Sequence, residues 1–328
     1  MQEPFIIVTG AAGFIGSGVV KHLNDLGHQN LILVDDFQTK NKWKNLVCKR
    51  YALLISKHEL MSWLEGKENQ IKAIIHLGAC SSTAWADDDY LVHNNYRYSV
   101  ALAEYAIRHG IRMIYASSAA TYGDGSQGFS DEKDIARLSP MNMYGYSKQL
   151  FDLWLQRSCN FANMVGLKYF NVFGPNEYHK GKMASGVFHL AKQAIEQKAV
   201  YLFKSNDPEN YADGEQRRDF IYVKDVAKIT CQFLEKPYWN ISGLFNVGTA
   251  QSHTWNEIAR AIFKALNIDE DLHYIDMPKE LLKQYQNYTE ATMDKYRTAL
   301  KEQAVHMTSL EDAIKDYINN YLLDEARW

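Results

Sequence analysis

Cysteine is scarce in this 328-residue chain, and the four present, Cys48, Cys80, Cys159 and Cys231, form no C-x-x-C pair. That scatter excludes a zinc ribbon and a disulfide framework, and it predicts buried free thiols in a reducing compartment. The eleven histidines show no H-x-x-x-H or carboxylate grouping at metal-ligand spacing, so no metal is expected. Neither sign of charge dominates. A formal charge of −3 with no basic stripe argues against a nucleic-acid partner. No apolar run reaches membrane-spanning length, and no repeat or low-complexity tract is present. A strand-like run begins at residue 5 with no signal-like segment before it, so a cytoplasmic protein with no membrane partner is the expectation. What is there is ordinary for a globular chain: 46% hydrophobic and 23% charged residues, enough for two domains or one domain with a large lobe.

The apolar run Phe5-Ile-Ile-Val-Thr9 suits a strand buried in a parallel sheet. Directly after it, Gly10-Ala11-Ala12-Gly13-Phe14-Ile15-Gly16 opens an amphipathic segment that reaches about Gly27. Strand, glycine turn and helix in this order form a dinucleotide fingerprint. Gly10 permits the tight turn, Gly13 lets the backbone approach a pyrophosphate, and Gly16 allows close helix packing. The free N–H groups and positive dipole end of the helix would meet the phosphates. Leu31-Ile-Leu-Val34 then ends in Asp35-Asp36, about 20 residues beyond the turn, where an acid meets the adenosine ribose.

Strand-like runs at 5–9, 31–35, 73–77, 112–116 and 164–169 alternate with helix-like stretches at 14–27, 88–109 and 145–160. The alternation predicts an α/β fold: a doubly wound parallel (Rossmann) sheet with a smaller, mostly helical substrate lobe. The expected division is 1–170 plus 218–248 for the dinucleotide-binding domain and 171–217 plus 249–328 for the substrate domain. Asn171 to Pro175 reads as a turn, 204–217 as a surface loop of functional length, and 218–223 as a sheet-type element again. Helices are expected at 225–236, 254–266 and 309–322.

Tyr144-Gly-Tyr-Ser-Lys148 places a phenol and an ammonium one helical turn apart. The cation is expected to lower the phenol's pKa, fitting it to take a proton from an alcohol and return it. The Ser117-Ser118 turn could supply a hydroxyl to the same reacting oxygen, although turn chemistry alone explains it equally well.

These blocks together resemble the extended short-chain dehydrogenase/reductases that modify sugar nucleotides. Gly78-Ala-Cys-Ser-Ser-Thr83, Tyr115 to Gly123, Tyr169-Phe-Asn-Val-Phe-Gly-Pro175, His179-Lys-Gly-x-Met-Ala-Ser185 and Arg218-Asp-Phe220 resemble, more closely, the ADP-L-glycero-D-manno-heptose 6-epimerase family. The resemblance implies an isomerase that inverts C6 of the heptose in ADP-D-glycero-D-manno-heptose for lipopolysaccharide core synthesis. It implies a tightly held nicotinamide, NADP with NAD still open, and a homo-oligomer, a pentamer by resemblance. Tyr144 and Lys180 would be opposed acid/bases, Ser118 would bond the reacting oxygen, and Lys148 would hold the nicotinamide ribose. Gly10, Ala11, Gly13, Phe14, Ile15, Gly16, Asp35, Asp36, Leu77, Gly78, Ala79, Cys80, Ser81 and Asn94 would line the cofactor, with Val172 near the nicotinamide. Lys42 and Lys57 would meet a 2′-phosphate. Asn171, Lys182, His189, Phe203, Arg218 and Tyr285 would contact the ADP-sugar, Arg218 through the diphosphate.

Three positions depart from the family pattern. Asp36 stands where a neutral Asn is frequent, Lys182 replaces a small polar residue, and Ala250 replaces a Gly. Two other readings stay open: a 4-epimerase or dehydratase acting on another nucleotide-sugar, and a non-catalytic dinucleotide-binding module. Ala119-Ala120 offers no acid beside the Ser118 turn for expelling water, which weighs against a dehydratase.

Overall fold

A computed structural model of the chain describes residues 3–37, 41–81, 87–282 and 285–328. In chain order its strands are β1 (Phe5–Thr9), β2 (Leu31–Asp35), β3 (Leu53–Ser56), β4 (Ile71–His76), β5 (Arg112–Ser118), β6 (Met164–Tyr169), β7 (Asn171–Phe173), β8 (Val200–Phe203), β9 (Arg217–Tyr222), β10 (Gly243–Val247), β11 (Ser252–Thr254) and β12 (Leu272–Ile275). Seven of them form a parallel sheet in the order β10-β6-β5-β4-β1-β2-β3. The order reverses between β1 and β4, and in such sheets ligands sit beyond the strand ends at that point.

Side chains alternate across the sheet with period two, and both faces are apolar. Ile6, Val8, Leu31, Leu33, Ala73 and Ile75 pack with the Phe14–Asp25 and Val223–Gln232 helices on one face. Ile7, Ile32, Val34, Ile74 and Met113 pack with the Tyr98–His109 and Met143–Cys159 helices on the other. This is the doubly wound sheet expected from the alternating runs. A third core joins the helices Gly186–Gln197, Trp255–Leu266 and Leu310–Tyr317 through Val187, Leu190, Ile258, Ile262, Ile314 and Tyr317. Ile15 and Val172 touch both this core and that of the first sheet face.

Several expectations need correction. The turn expected at Asn171–Pro175 begins as strand β7, which pairs with β9. β9 lies in a three-stranded sheet with β7 and β11, apart from the central sheet. Edge strand β3 has half its residues exposed, so its pattern carries no burial signal. The stretch read as one helix over 88–109 contains a π-helical segment, Val92–Arg97. Of the four thiols, only Cys231 is buried; Cys48 is exposed and Cys80 and Cys159 are half-buried.

Candidate active site

The glycine turn is built by close backbone approach. A Cβ on Gly10 would stand 2.7 Å from the Gly78 Cα, and Gly10 adopts a φ of +66°. A Cβ on Gly16 would stand 2.0 Å from the Gly10 carbonyl oxygen. A side chain at Gly10 would push the β1 and β4 turns apart, and one at Gly16 would push the helix start off the Gly10 turn. Gly13 caps the Phe14–Asp25 helix without a side-chain hydrogen bond, leaving N–H groups at the helix start available to an anion. These features fit a dinucleotide pyrophosphate.

Both acids at the end of β2 are engaged. Asp35 accepts from the Ala12 N–H at 2.6 Å and pairs with Lys42 at 2.5 Å. Asp36 pairs with Lys57 at 2.8 Å, and Lys57 also donates to Asn94 Oδ1 at 3.0 Å. The charge that Asp36 adds is thus balanced where it stands.

The β4 turn, Leu77 to Ser81, is tied down by a residue that sequence reasoning missed. Asn95 Oδ1 accepts from Cys80 N at 2.8 Å, and its Nδ2 donates to Cys80 O at 2.9 Å and to Ser147 Oγ at 3.1 Å. Ser147 donates to Tyr144 O at 2.7 Å, which links the β4 turn to the helix of the phenol. Asn95 lies in the π-helical segment, a geometry often found at functional sites, and only that irregularity marks it. Ser82 and Thr83, at the end of the same sequence block, lie outside the described residues.

Asn142 caps the Met143–Cys159 helix by accepting from Gly145 N at 2.9 Å. Its second residue, Tyr144, hydrogen-bonds the Ser118 side chain. Lys148 Nζ lies 6.0 Å from the Tyr144 ring centroid and donates to Ala116 O at 2.8 Å. The pair therefore meets, but the expected pKa effect is reversed. Burial raises the Tyr144 phenol, with only the Ser118 hydrogen bond pulling it down. Burial also lowers Lys148 to about 8, against the pull of Asp152. Desolvation disfavours both charged forms, and neither shift is set by the other member of the pair.

Beneath them lies a buried network. Asp152 accepts from Tyr115 Oη at 2.7 Å, Ser117 Oγ at 2.7 Å and Lys168 Nζ at 2.9 Å. Lys168 also donates to Thr121 Oγ1 at 2.7 Å, and Thr121 donates to Ser118 O at 2.8 Å. Asp152 falls four residues after Lys148, a helical spacing that could have exposed it. Lys168 was legible as a charge inside an apolar strand run.

Lys180 sits in the turn Tyr178–Met183, its Nζ 5.1 Å from the ring centroid of Phe14. Burial lowers its pKa, and the nearby Glu177 opposes that shift. Asn45, another residue without a sequence signal, ties this loop to the glycine turn. Its Nδ2 donates to Ala12 O and to Asn176 O, each at 3.0 Å. Lys182, two residues on, is exposed, so it does not share the enclosed position of Lys180.

Arg218 is buried, stacks over the Tyr285 ring at 4.9 Å and donates to Arg217 O at 2.9 Å. An ion pair with Asp219 or Glu215 is not formed: Asp219 accepts from Thr249, Ala250 and Ala291, and Glu215 from Asn256. Asn171 Nδ2 is used to join β7 to Asp219 O and Thr289 Oγ1, both at 3.1 Å. Phe203 ends β8, and His189 lies one turn into the Gly186–Gln197 helix; both are half-buried. Among the described residues, no group of three metal-ligating side chains is present, and no helix is long and apolar enough to cross a membrane.

Known proteins resemble this chain in sequence and in fold. The chain is 48% identical over 319 residues to an ADP-L-glycero-D-manno-heptose-6-epimerase of Nitratidesulfovibrio vulgaris, covering 96% of this chain and 97% of that one. It is 43% identical to the Fusobacterium nucleatum protein of the same name, over 98% of both. The crystal structure of the Helicobacter pylori ADP-L-glycero-D-manno-heptose-6-epimerase superposes with a TM-score of 0.80 at 28% identity, over 97% of this chain and 96% of that one. The sequence profile of the NAD dependent epimerase/dehydratase family matches residues 6–248, from β1 to the end of β10, and the chain belongs to that family.

Proposed function

We propose that the protein epimerises C6 of the heptose in ADP-D-glycero-D-manno-heptose to give the L-glycero epimer, which serves lipopolysaccharide core synthesis. The observation that carries this reading is the pair of half-buried acid/base candidates, Tyr144 with Ser118 and Lys180 against Phe14. A bound nicotinamide dinucleotide would supply the hydride acceptor and, after the substrate turns over, the hydride donor. In one substrate pose, Tyr144 in its ionised form takes the proton from the carbinol oxygen while Ser118 orients that oxygen. In the opposite pose, the oxygen lies out of Tyr144's reach and Lys180 serves. Lys148 holds the nicotinamide ribose, and Arg218 with Tyr285, Asn171, His189, Phe203 and Lys182 receives the ADP-sugar.

Gly10, Ala11, Gly13, Phe14, Ile15, Gly16, the 77–81 turn, Asn94 and Val172 form the cofactor side of this reading. Lys42 and Lys57 support NADP: a 2′-phosphate would draw both lysines from Asp35 and Asp36. The division into 1–170 plus 218–248 and 171–217 plus 249–328, a cytoplasmic location and a pentameric assembly belong to the same proposal.

Two experiments test it. Tyr144→Phe and Lys180→Ala should each abolish conversion of the purified sugar-nucleotide while leaving dinucleotide bound; full turnover by the Lys180 variant would remove the second base. Denaturing the purified protein should release NADP(H), and release of NAD(H) alone would reverse the cofactor assignment.

A further inference from the structure

We propose that Glu177 is the positioning residue of the proton-transfer loop, its carboxylate closing the two ends of the segment that carries Lys180. The proposal rests on the two-base reading above and goes beyond it, because Glu177 touches neither substrate nor cofactor in that scheme. Glu177 is fully buried. Its Oε1 accepts from Gly174 N at 3.2 Å, Ser185 Oγ at 2.8 Å and Tyr317 Oη at 3.1 Å, and its Oε2 from Ser185 N at 2.5 Å. Four donors converge on one carboxyl group, the pattern of an acceptor-only, ionised carboxylate, and those from Ser185 and Gly174 oppose the burial that raises its pKa.

Those donors come from separate parts of the fold. Gly174 follows β7, Ser185 caps the Gly186–Gln197 helix, and Tyr317 ends the Leu310–Tyr317 helix. Residues 174 and 185 bracket the loop that holds His179, Lys180 and Lys182, so a single side chain pins its base. The backbone of Glu177 continues the job: its carbonyl accepts from Lys180 N at 2.9 Å and starts the turn that carries the amine toward Phe14. The negative charge also acts on Lys180, opposing the burial that drives the amine toward neutrality. Without it, the loop would lose the contacts that join its ends, and the amine would lose its placement and a nearby counter-charge.

The test follows reduction of the bound dinucleotide by its nicotinamide absorbance in single turnovers of the holoenzyme, started separately from each of the two epimers. Tyr144→Phe should block oxidation of one epimer and Lys180→Ala oxidation of the other. Glu177→Gln keeps the size but turns an NH2 group toward donors. It should slow the Lys180-dependent epimer by about tenfold or more and leave the other within about twofold, with KM for both held. Tyr317→Phe removes one donor only and serves if the Gln variant does not fold; it should show the same epimer bias at about two- to fivefold. Equal slowing of both epimers, or of neither, overturns the role of Glu177 while leaving the two bases in place. Oxidation of both epimers by Lys180→Ala removes the second base, and this proposal with it.

Discussion

Lys180 holds its amine 5.1 Å from the centre of the Phe14 ring, at the start of the glycine-turn helix. The contact joins the loop that carries the amine to the glycine turn, the proposed seat of the cofactor phosphates. An aromatic face favours the protonated amine by about 0.5–2 kcal/mol, depending on desolvation. Phe14→Leu keeps an apolar side chain but loses that face, so Lys180 should release its proton at lower pH. The limb of the pH–rate profile that Lys180 sets should move down by about 0.5–1 unit. An unchanged profile would mean that the ring only packs.

The Lys168–Asp152 pair, 1% and 0% exposed, holds β6 to the Met143–Cys159 helix. Lys168→Met leaves Asp152 buried without its cation and should destabilise the protein by about 3–5 kcal/mol in denaturant unfolding. Adding Asp152→Asn to that variant should recover part of the loss, because the two changes share one interaction. Strict additivity would show that the pair is not coupled.

His76 is a buried histidine whose partners assign its tautomer. Ser99 Oγ donates to Asn95 O at 2.5 Å and so accepts from His76 Nε2 at 2.8 Å, which makes Nδ1 the acceptor from Thr9 Oγ1 at 2.6 Å. Burial, assisted by Lys148, lowers its pKa from 6.5 to about 3. A depressed folded-state value gives stability that is present above pH 6.5 and lost as pH falls toward 3, because the unfolded chain takes up the proton first. Unfolding free energy should therefore drop by up to about 1.4 kcal/mol per pH unit from this residue within that window. His76→Asn should flatten that part of the curve in melts at pH 7, 5.5 and 4.5.

Arg218 sits over the Tyr285 ring, and among the described residues its guanidinium makes one hydrogen bond, to Arg217 O. A planar fork suits paired phosphate oxygens, and a lysine supplies only a point charge. Arg218→Lys should raise KM for the nucleotide-sugar by about tenfold or more with kcat within about twofold. A fall in kcat at constant KM would place Arg218 at the reacting carbon instead.

Local sequence determined those parts of the protein that depend on neighbours along the chain. Apolar runs of strand length, the spacing of Gly10, Gly13 and Gly16, the acid after β2 and the four-residue gap from Tyr144 to Lys148 are all short-range patterns. Backbone sterics and helical periodicity make each of them readable without a fold. Tertiary structure alone decided the rest. Asn95, Asn45 and Glu177 each reach a partner far along the chain, Cys80, Asn176 and Tyr317, which lie 15, 131 and 140 residues away. Their roles have no period to read. The direction of the Tyr144 shift belongs here too: spacing reports which charge is near, but only the packed pocket reports how much water has been removed, and desolvation is the larger effect.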